Sequence, residues 1–462
     1  MEIKEKVKLK ITDMSAEGNG IGRTEEGLTV FVSGAVLGDV VEAEITKIKK
    51  NYALADCSLI LERSPYRQDR YCKWQDVCGG CGLGELSYET QTKLKEEQVR
   101  NKLKRIGGIG DPNLKPIVVA EEKEVFNYRN KAVMAVGEDF EGNPIIGFRE
   151  REKGRIIDCD QCMLQAPPAK AVAKVIRDYM RENHVPAYDR KNNSGLLRHV
   201  IVKTSFDTGE VMVVLVINGK NLPEEESLIT ALDEAVVGDY SLESVAVNIN
   251  KNPGGEILSE KTLILAGKGS IDDGLCGLKF QVSPMSFYQV NPTMAEKLYE
   301  KVMEYGAIGH DSKVLDLYCG VGTLGLIAAS RGAKSVVGVE EISGAILDAN
   351  RNAVINGIVN AVFYTGKAED VLVEDGSLTE GLNGNSFDTI IMDPPRKGCD
   401  GRVLEFIGKS GANRLVYVSC DPATQARDIK ALAEYGFRME EATPFDMFPN
   451  TTEVENICLL RR

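Results

Sequence analysis

Alternating apolar and polar residues dominate the first sixty positions. Val7-Lys8-Leu9-Lys10-Ile11 follows the two-residue period of a half-buried strand. Leu28–Val32 and Val40–Lys47 read the same way, separated by turn clusters at Glu17–Gly22, Ser33-Gly34 and Leu37–Asp39. Short strands with glycine-rich turns predict a small β-barrel of the oligonucleotide-binding type over residues 1–62. Residues 63–280 are mixed. A cysteine-rich stretch at 72–81 leads into a predicted helix from Ser87 to Arg105, ended by Gly107-Gly108. A hairpin follows, His199–Ser205 with Glu210–Asn218, turned at Asp207-Thr208-Gly209, and Val245–Asn250 is a further strand. From residue 281 to 462, apolar runs at Lys313–Leu317, Ser335–Glu340, Thr389–Met392 and Arg414–Ser419 alternate with helical segments. That alternation predicts an α/β domain, a parallel sheet with helices on both faces.

Three units suit a chain of 462 residues at about 150 residues per domain. With 43% hydrophobic and 27% charged residues, the composition excludes collagen-like, disordered and coiled-coil classes. The charged start MEIKEKVKLK lacks the apolar stretch of a signal peptide, and the aliphatic runs are too short for a bilayer, so a cytoplasmic protein is expected. A net charge of −13 argues against coating nucleic acid by bulk electrostatics, though local basic grooves remain compatible with it. Lys93, Lys95, Arg100, Lys102, Lys104 and Arg105 read as a solvated helix face. Arg129, Lys131, Arg149, Arg151, Lys153 and Arg155 suit a nucleic-acid groove as well as a solvated surface. Three histidines make a His-rich zinc enzyme a poor fit. Eleven cysteines are too scattered for a disulfide scaffold, and the clustered ones point to metal binding or chemistry.

Asp316-Leu317-Tyr318-Cys319-Gly320-Val321-Gly322-Thr323 follows a strand and opens a helix. Gly320 and its neighbours let the backbone approach a ligand, and the helix start offers free N–H groups. Glu340, ending the next strand, can accept both ribose hydroxyls of either NAD or S-adenosylmethionine (SAM). Asp393-Pro394-Pro395-Arg396 and the strand delivering Cys420 sit at the ligand-binding edge of the same sheet. Met447–Glu455 adds Glu453 and Glu455, two residues apart, which an extended segment points the same way.

The Asp-Leu-Tyr-Cys-Gly-Val-Gly and Asp-Pro-Pro-Arg motifs together resemble a class I SAM-dependent methyltransferase. Arg396 stands where base amino-methyltransferases have an aromatic residue, which makes that reading the lesser one. A cysteine, a general base and a SAM site are the minimum set for methylating C5 of uracil, because C5 becomes nucleophilic once a thiolate has added at C6. Motif order along essentially the whole chain resembles the RNA uracil-C5 methyltransferase family. That resemblance implies Cys420 as nucleophile, within Ser419–Thr424, and Glu455 as base. It implies Gln289, Tyr318, Gly320, Glu340 and Asp393 as SAM contacts. This sequence departs from the family at Glu453, usually His, and carries Thr323 where some members have Asn.

Cys72, Cys78 and Cys81 have C-x5-C-x2-C spacing, and Cys159 or Cys162 can supply a fourth thiolate. By spacing, four thiolates suit zinc or an iron–sulfur cluster. The resemblance implies a [4Fe–4S] cluster with Cys162 as fourth ligand, since the family's ligand follows a Gln. It also implies an N-terminal RNA-binding TRAM domain. Members with both barrel and cluster tend to modify 23S ribosomal RNA, whereas those acting on transfer RNA commonly lack both. The expected substrate is therefore a uridine of bacterial 23S rRNA, flipped into the site, with no protein partner implied. The alternatives are tRNA uridine-C5 methylation, a non-catalytic iron–sulfur RNA-binding protein, and an NAD-linked oxidoreductase resting on the glycine spacing alone.

Overall fold

The computed structural model describes residues 2–151, 154–159, 161–371 and 387–462, so Lys153 lies outside the described residues. The first unit contains β1 (Lys6–Lys10), β2 (Asp13–Met14), β3 (Gly20–Arg23), β4 (Thr29–Ser33), β5 (Val40–Ile48) and β6 (Tyr52–Glu62). Their order in the sheet is β1-β5-β6-β4-β3-β2. The two edge strands, β1 and β2, are joined by Ile11-Thr12 alone, which forces the sheet to curl on itself. Alternate residues, among them Leu9, Val30, Val32, Val41, Ala43 and Ile45, fill its interior.

A second sheet contains β7 (Lys131–Glu138), β8 (Pro144–Arg149), β9 (Ile156–Asp158), β10 (Leu197–Thr204), β11 (Glu210–Ile217), β12 (Ser241–Ile249) and β13 (Thr262–Gly267). Its order is β13-β12-β11-β10-β7-β8-β9. The unbroken run Val211–Ile217 is apolar because both faces are covered. Val211, Val213 and Leu215 pack beneath helices at Pro168–Glu182 and Glu225–Ala235. Met212, Val214 and Val216 face the other way and share a core with Leu298 and Val302 of the helix Pro292–Gly306 and with Val416 and Phe445 of the third sheet. The hairpin β14 (Ile271–Leu275) with β15 (Leu278–Val282) joins the same core.

The third sheet contains β16 (Lys313–Leu317), β17 (Ser335–Glu340), β18 (Ala361–Thr365), β19 (Thr389–Met392), β20 (Arg414–Ser419), β21 (Arg438–Phe445) and β22 (Glu455–Arg461), ordered β18-β17-β16-β19-β20-β22-β21. The four strands read from the sequence keep their bounds and run parallel, as does β18. The sheet is not parallel throughout, because β22 inserts antiparallel between β20 and β21. The order reverses at β16, which places a ligand crevice at the carboxyl ends of β16, β17 and β19. Helix Tyr88–Arg105 lies early in the chain but packs here: Val99 and Leu103 bury against Ala426 and Ile429 of helix Pro422–Leu432. Among the described residues, no helix is long and apolar enough to cross a membrane.

Candidate active site

At the end of β16 the backbone is left-handed at Tyr318 (φ +63°), Gly320 (φ +55°) and Gly322 (φ +79°), giving the tight turn into helix Thr323–Ser330. Tyr318 pays for that conformation in strain of about 1–2 kcal/mol, which marks the turn as functional. Glu340 ends β17 beside it. The Gly320 and Ile342 N–H groups donate to its two carboxylate oxygens at 3.2 and 3.0 Å, fixing the group while leaving lone pairs for hydroxyl donors. Asp316 beneath the turn is fully buried; one oxygen accepts the Gly325 N–H at 2.8 Å and Oδ1 has no partner among the described residues. Burial pushes this carboxyl up to about 8.

A cavity of about 810 Å³ opens over this edge, lined by Gln289, Tyr318, Gly320, Thr323, Glu340, Asp393, Cys420 and Glu455. The size suits a nucleoside cofactor with a base beside it. Its acidic lining of Glu340, Asp393, Glu453 and Glu455 suits a cationic ligand such as SAM. Gln289 shares a hydrogen bond with the Tyr299 hydroxyl, while its carbonyl accepts from Asn130 Nδ2 at 3.0 Å. Asn291 instead caps helix Pro292–Gly306 and donates to the Met447 carbonyl at 2.9 Å.

Cys420 follows β20 at the crevice, and Glu455 opens β22, whose reversed direction brings its amino end to that edge. Burial, then Glu455, push the Cys420 thiol up to about 12, against the opposing effect of Arg396. Glu455 is 6% exposed, and burial followed by the Asp393 charge raises its carboxyl well above the usual range. Asp393 is raised by burial to about 7. Arg396 pairs with Glu453 at 2.8 Å, and its charge favours the Cys420 thiolate.

The loop carrying Glu453 is held by residues the motifs did not single out. Lys95 is fully buried, not on a solvated face: its ammonium lies 2.5 Å from Asp446 and donates to the Phe448 carbonyl at 3.0 Å. Gln91 accepts from the Asn450 N–H at 2.9 Å, and the Tyr128 hydroxyl donates to the Pro449 carbonyl at 3.0 Å. Nothing in local sequence pairs positions so far apart. Of the remaining helix cations, Lys93 pairs with Glu89 and Arg100 with Glu96.

A second groove, about 820 Å³, meets the first at Cys420, Arg396 and Glu453. It runs between barrel residues Ala16 and Glu17, loop residues Gly79, Gly80 and Gly82, and basic Lys102, Arg149 and Arg151. Gly82 is required: a Cβ there would come within 2.7 Å of Thr452. The Leu83 N–H donates to the Asn450 carbonyl at 3.1 Å, so the cysteine loop also braces the loop carrying Glu453.

Cys72, Cys78, Cys81 and Cys162 are free and partly buried, and Cys159 is buried nearby. The charge of Cys162, Cys78 and Cys72 reaches Cys81, whose thiol burial pushes up to about 12. Trp74 and Gly80 N–H groups donate to Cys72 and Cys78 sulfurs at 3.5 and 3.4 Å. Trp74 Nε1 and Gln75 Nε2 are buried beside them without hydrogen-bond partners among the described residues, and the Tyr71 hydroxyl faces the Cys81 sulfur. Among those residues, no group of three or more His, Cys, Asp or Glu side chains is arranged to hold a metal ion.

Two family models match the chain: TRAM domain over residues 2–57 and tRNA (Uracil-5-)-methyltransferase over 259–462. An uncharacterized RNA methyltransferase of Caldanaerobacter subterraneus is 41% identical, covering 100% of this chain and 99% of the relative. One from Clostridium tetani is 39% identical over 98% of this chain and 95% of its own. The crystal structure of Pyrococcus abyssi tRNA (uracil-54, C5)-methyltransferase, in complex with S-adenosyl-L-homocysteine, superposes with a TM-score of 0.77 at 27% identity. It covers 98% of this chain and 99% of its own.

Proposed function

Because this chain belongs to the RNA uracil-C5 methyltransferase family and is a SAM-dependent RNA (uracil-C5)-methyltransferase, we propose that Cys420 is its nucleophile, Glu455 its base and 23S ribosomal RNA its substrate. The observation that carries the mechanism is that Cys420, Glu455 and Asp393 line one cavity, into which a groove carrying Lys102, Arg149 and Arg151 leads.

Cys420 gives its proton to solvent, and its sulfur adds to C6 of a uracil flipped out of the strand. The new S–C6 bond leaves an electron pair on the C5–C4–O4 enolate. SAM, when bound, supplies an electrophilic methyl group on its sulfonium, which C5 takes as the S–CH3 bond breaks. Glu455 then removes the C5 proton, and the returning pair expels the Cys420 sulfur and restores the C5–C6 double bond. Gln289, Tyr318, Gly320, Glu340 and Asp393 hold SAM, with Glu340 on the ribose hydroxyls.

Cys72, Cys78, Cys81 and Cys162 would hold a [4Fe–4S] cluster. Their thiols sense one another's charge, as thiolates gathered around one group would. The unpartnered Trp74 and Gln75 donors suit sulfide acceptors. The cluster would brace the groove wall, since methyl transfer to C5 needs no electrons.

The 23S reading rests on barrel and cysteines together. A tRNA reading is favoured by the Pyrococcus match, whose 98% coverage takes in the barrel, so the barrel alone does not discriminate. Labelled SAM with unmodified 23S and tRNA transcripts separates the two: 5-methyluridine in 23S RNA supports this proposal, and label confined to tRNA overturns its substrate.

A further inference from the structure

Resting on Cys420 as nucleophile, we propose that Arg396 is a catalytic residue that faces the Cys420 sulfur and stabilises its thiolate against the surrounding carboxylates, with Glu453 positioning the guanidinium. Addition at C6 requires a thiolate, yet the surroundings of Cys420 are acidic. Asp393 lies on the turn after β19, and Glu453 and Glu455 come from the loop and strand opposite. The start of helix Pro422–Leu432 directly after Cys420 would favour an anion, but the Asp421 carboxylate already accepts its Ala423 and Thr424 N–H groups at 2.8 and 3.4 Å. Farther along the groove, Lys102, Arg149 and Arg151 are mixed with Glu17 and Glu150. Arg396 supplies the opposing positive charge, and it lines both cavities together with Cys420.

The placement is specific. Arg396 follows the two prolines after Asp393, and it lines both cavities where they meet at Cys420. Its side chain is 68% exposed, and its 2.8 Å pair with Glu453 ties this long side chain across the mouth of the site. An ion pair so exposed adds little to stability, so its consequence is positional. The guanidinium stays protonated throughout; the thiol proton leaves to solvent and no electrons are exchanged.

The test is the pH profile of iodoacetamide alkylation of Cys420 in the full-length protein, read by mass spectrometry of its peptide. Alkylation forms one S–C bond and releases iodide, with no RNA or SAM required. Arg396→Gln is expected to shift the profile upward by about one unit, an about tenfold slower reaction at pH 8, and Arg396→Lys to shift it less. Glu453→Gln is expected to slow alkylation as well, by releasing Arg396, although removing a neighbouring negative charge would alone speed it. An unchanged profile in Arg396→Gln overturns the catalytic assignment, and faster alkylation in Glu453→Gln overturns the positioning one. Methyl transfer by Cys420→Ala at the wild-type rate would instead overturn the nucleophile itself.

Discussion

Cys420 and Glu455 occupy opposing places on neighbouring antiparallel strands, one step beyond the Ser419–Asn456 pair of β20 and β22. Directly opposed residues project on the same face, so the proposed nucleophile and base, 35 positions apart in sequence, reach one cavity. The same proximity makes the thiol hard to ionise, since Glu455 follows burial among the causes that push it up to about 12. Below that value the thiolate fraction grows about tenfold per pH unit. Single-turnover methylation at saturating SAM and RNA should therefore rise with a log slope near +1 between pH 7 and 8.5. A flat profile would mean that the thiolate is already formed.

Lys95 and Asp446 form a fully buried ion pair that anchors the loop carrying Glu453 to helix Tyr88–Arg105. Lys95→Met should destabilise the protein by about 3–5 kcal/mol, because it strands the Asp446 charge. Adding Asp446→Leu should recover most of that loss. Urea unfolding of the single and double variants measures both.

These two pairs show what the sequence made legible and what it did not. The strands ending near Tyr318, Glu340, Asp393 and Cys420 were readable because buried parallel strands are continuous apolar runs and their chemistry sits at strand ends. The reversal of β22 was not, since an apolar run carries no direction. Lys95 read as one cation among several on a polar helix; its burial depends on a partner 351 residues away. In the sequence Arg396 is marked only by the aromatic residue it replaces, and its pairing with Glu453 exists only where two distant loops meet.

Arg149 and Arg151 line the groove that leads to Cys420. If they contact phosphates, replacing either with Ala should weaken RNA binding across sequences and reduce the salt slope by about one. SAM affinity should be unchanged. Filter binding over a salt series checks this, and an unaltered slope would place the RNA elsewhere.

The central claim is a covalent Cys420–C6 adduct resolved by Glu455. Its most direct test uses whichever transcript the wild-type enzyme labels, with methyl-labelled SAM and denaturing electrophoresis. Glu455→Gln should accumulate a denaturant-stable, methyl-labelled protein–RNA adduct because the C5 proton stays in place. Cys420→Ala should form none and transfer no methyl group. No adduct with Glu455→Gln, or methyl transfer by Cys420→Ala at the wild-type rate, would contradict the account.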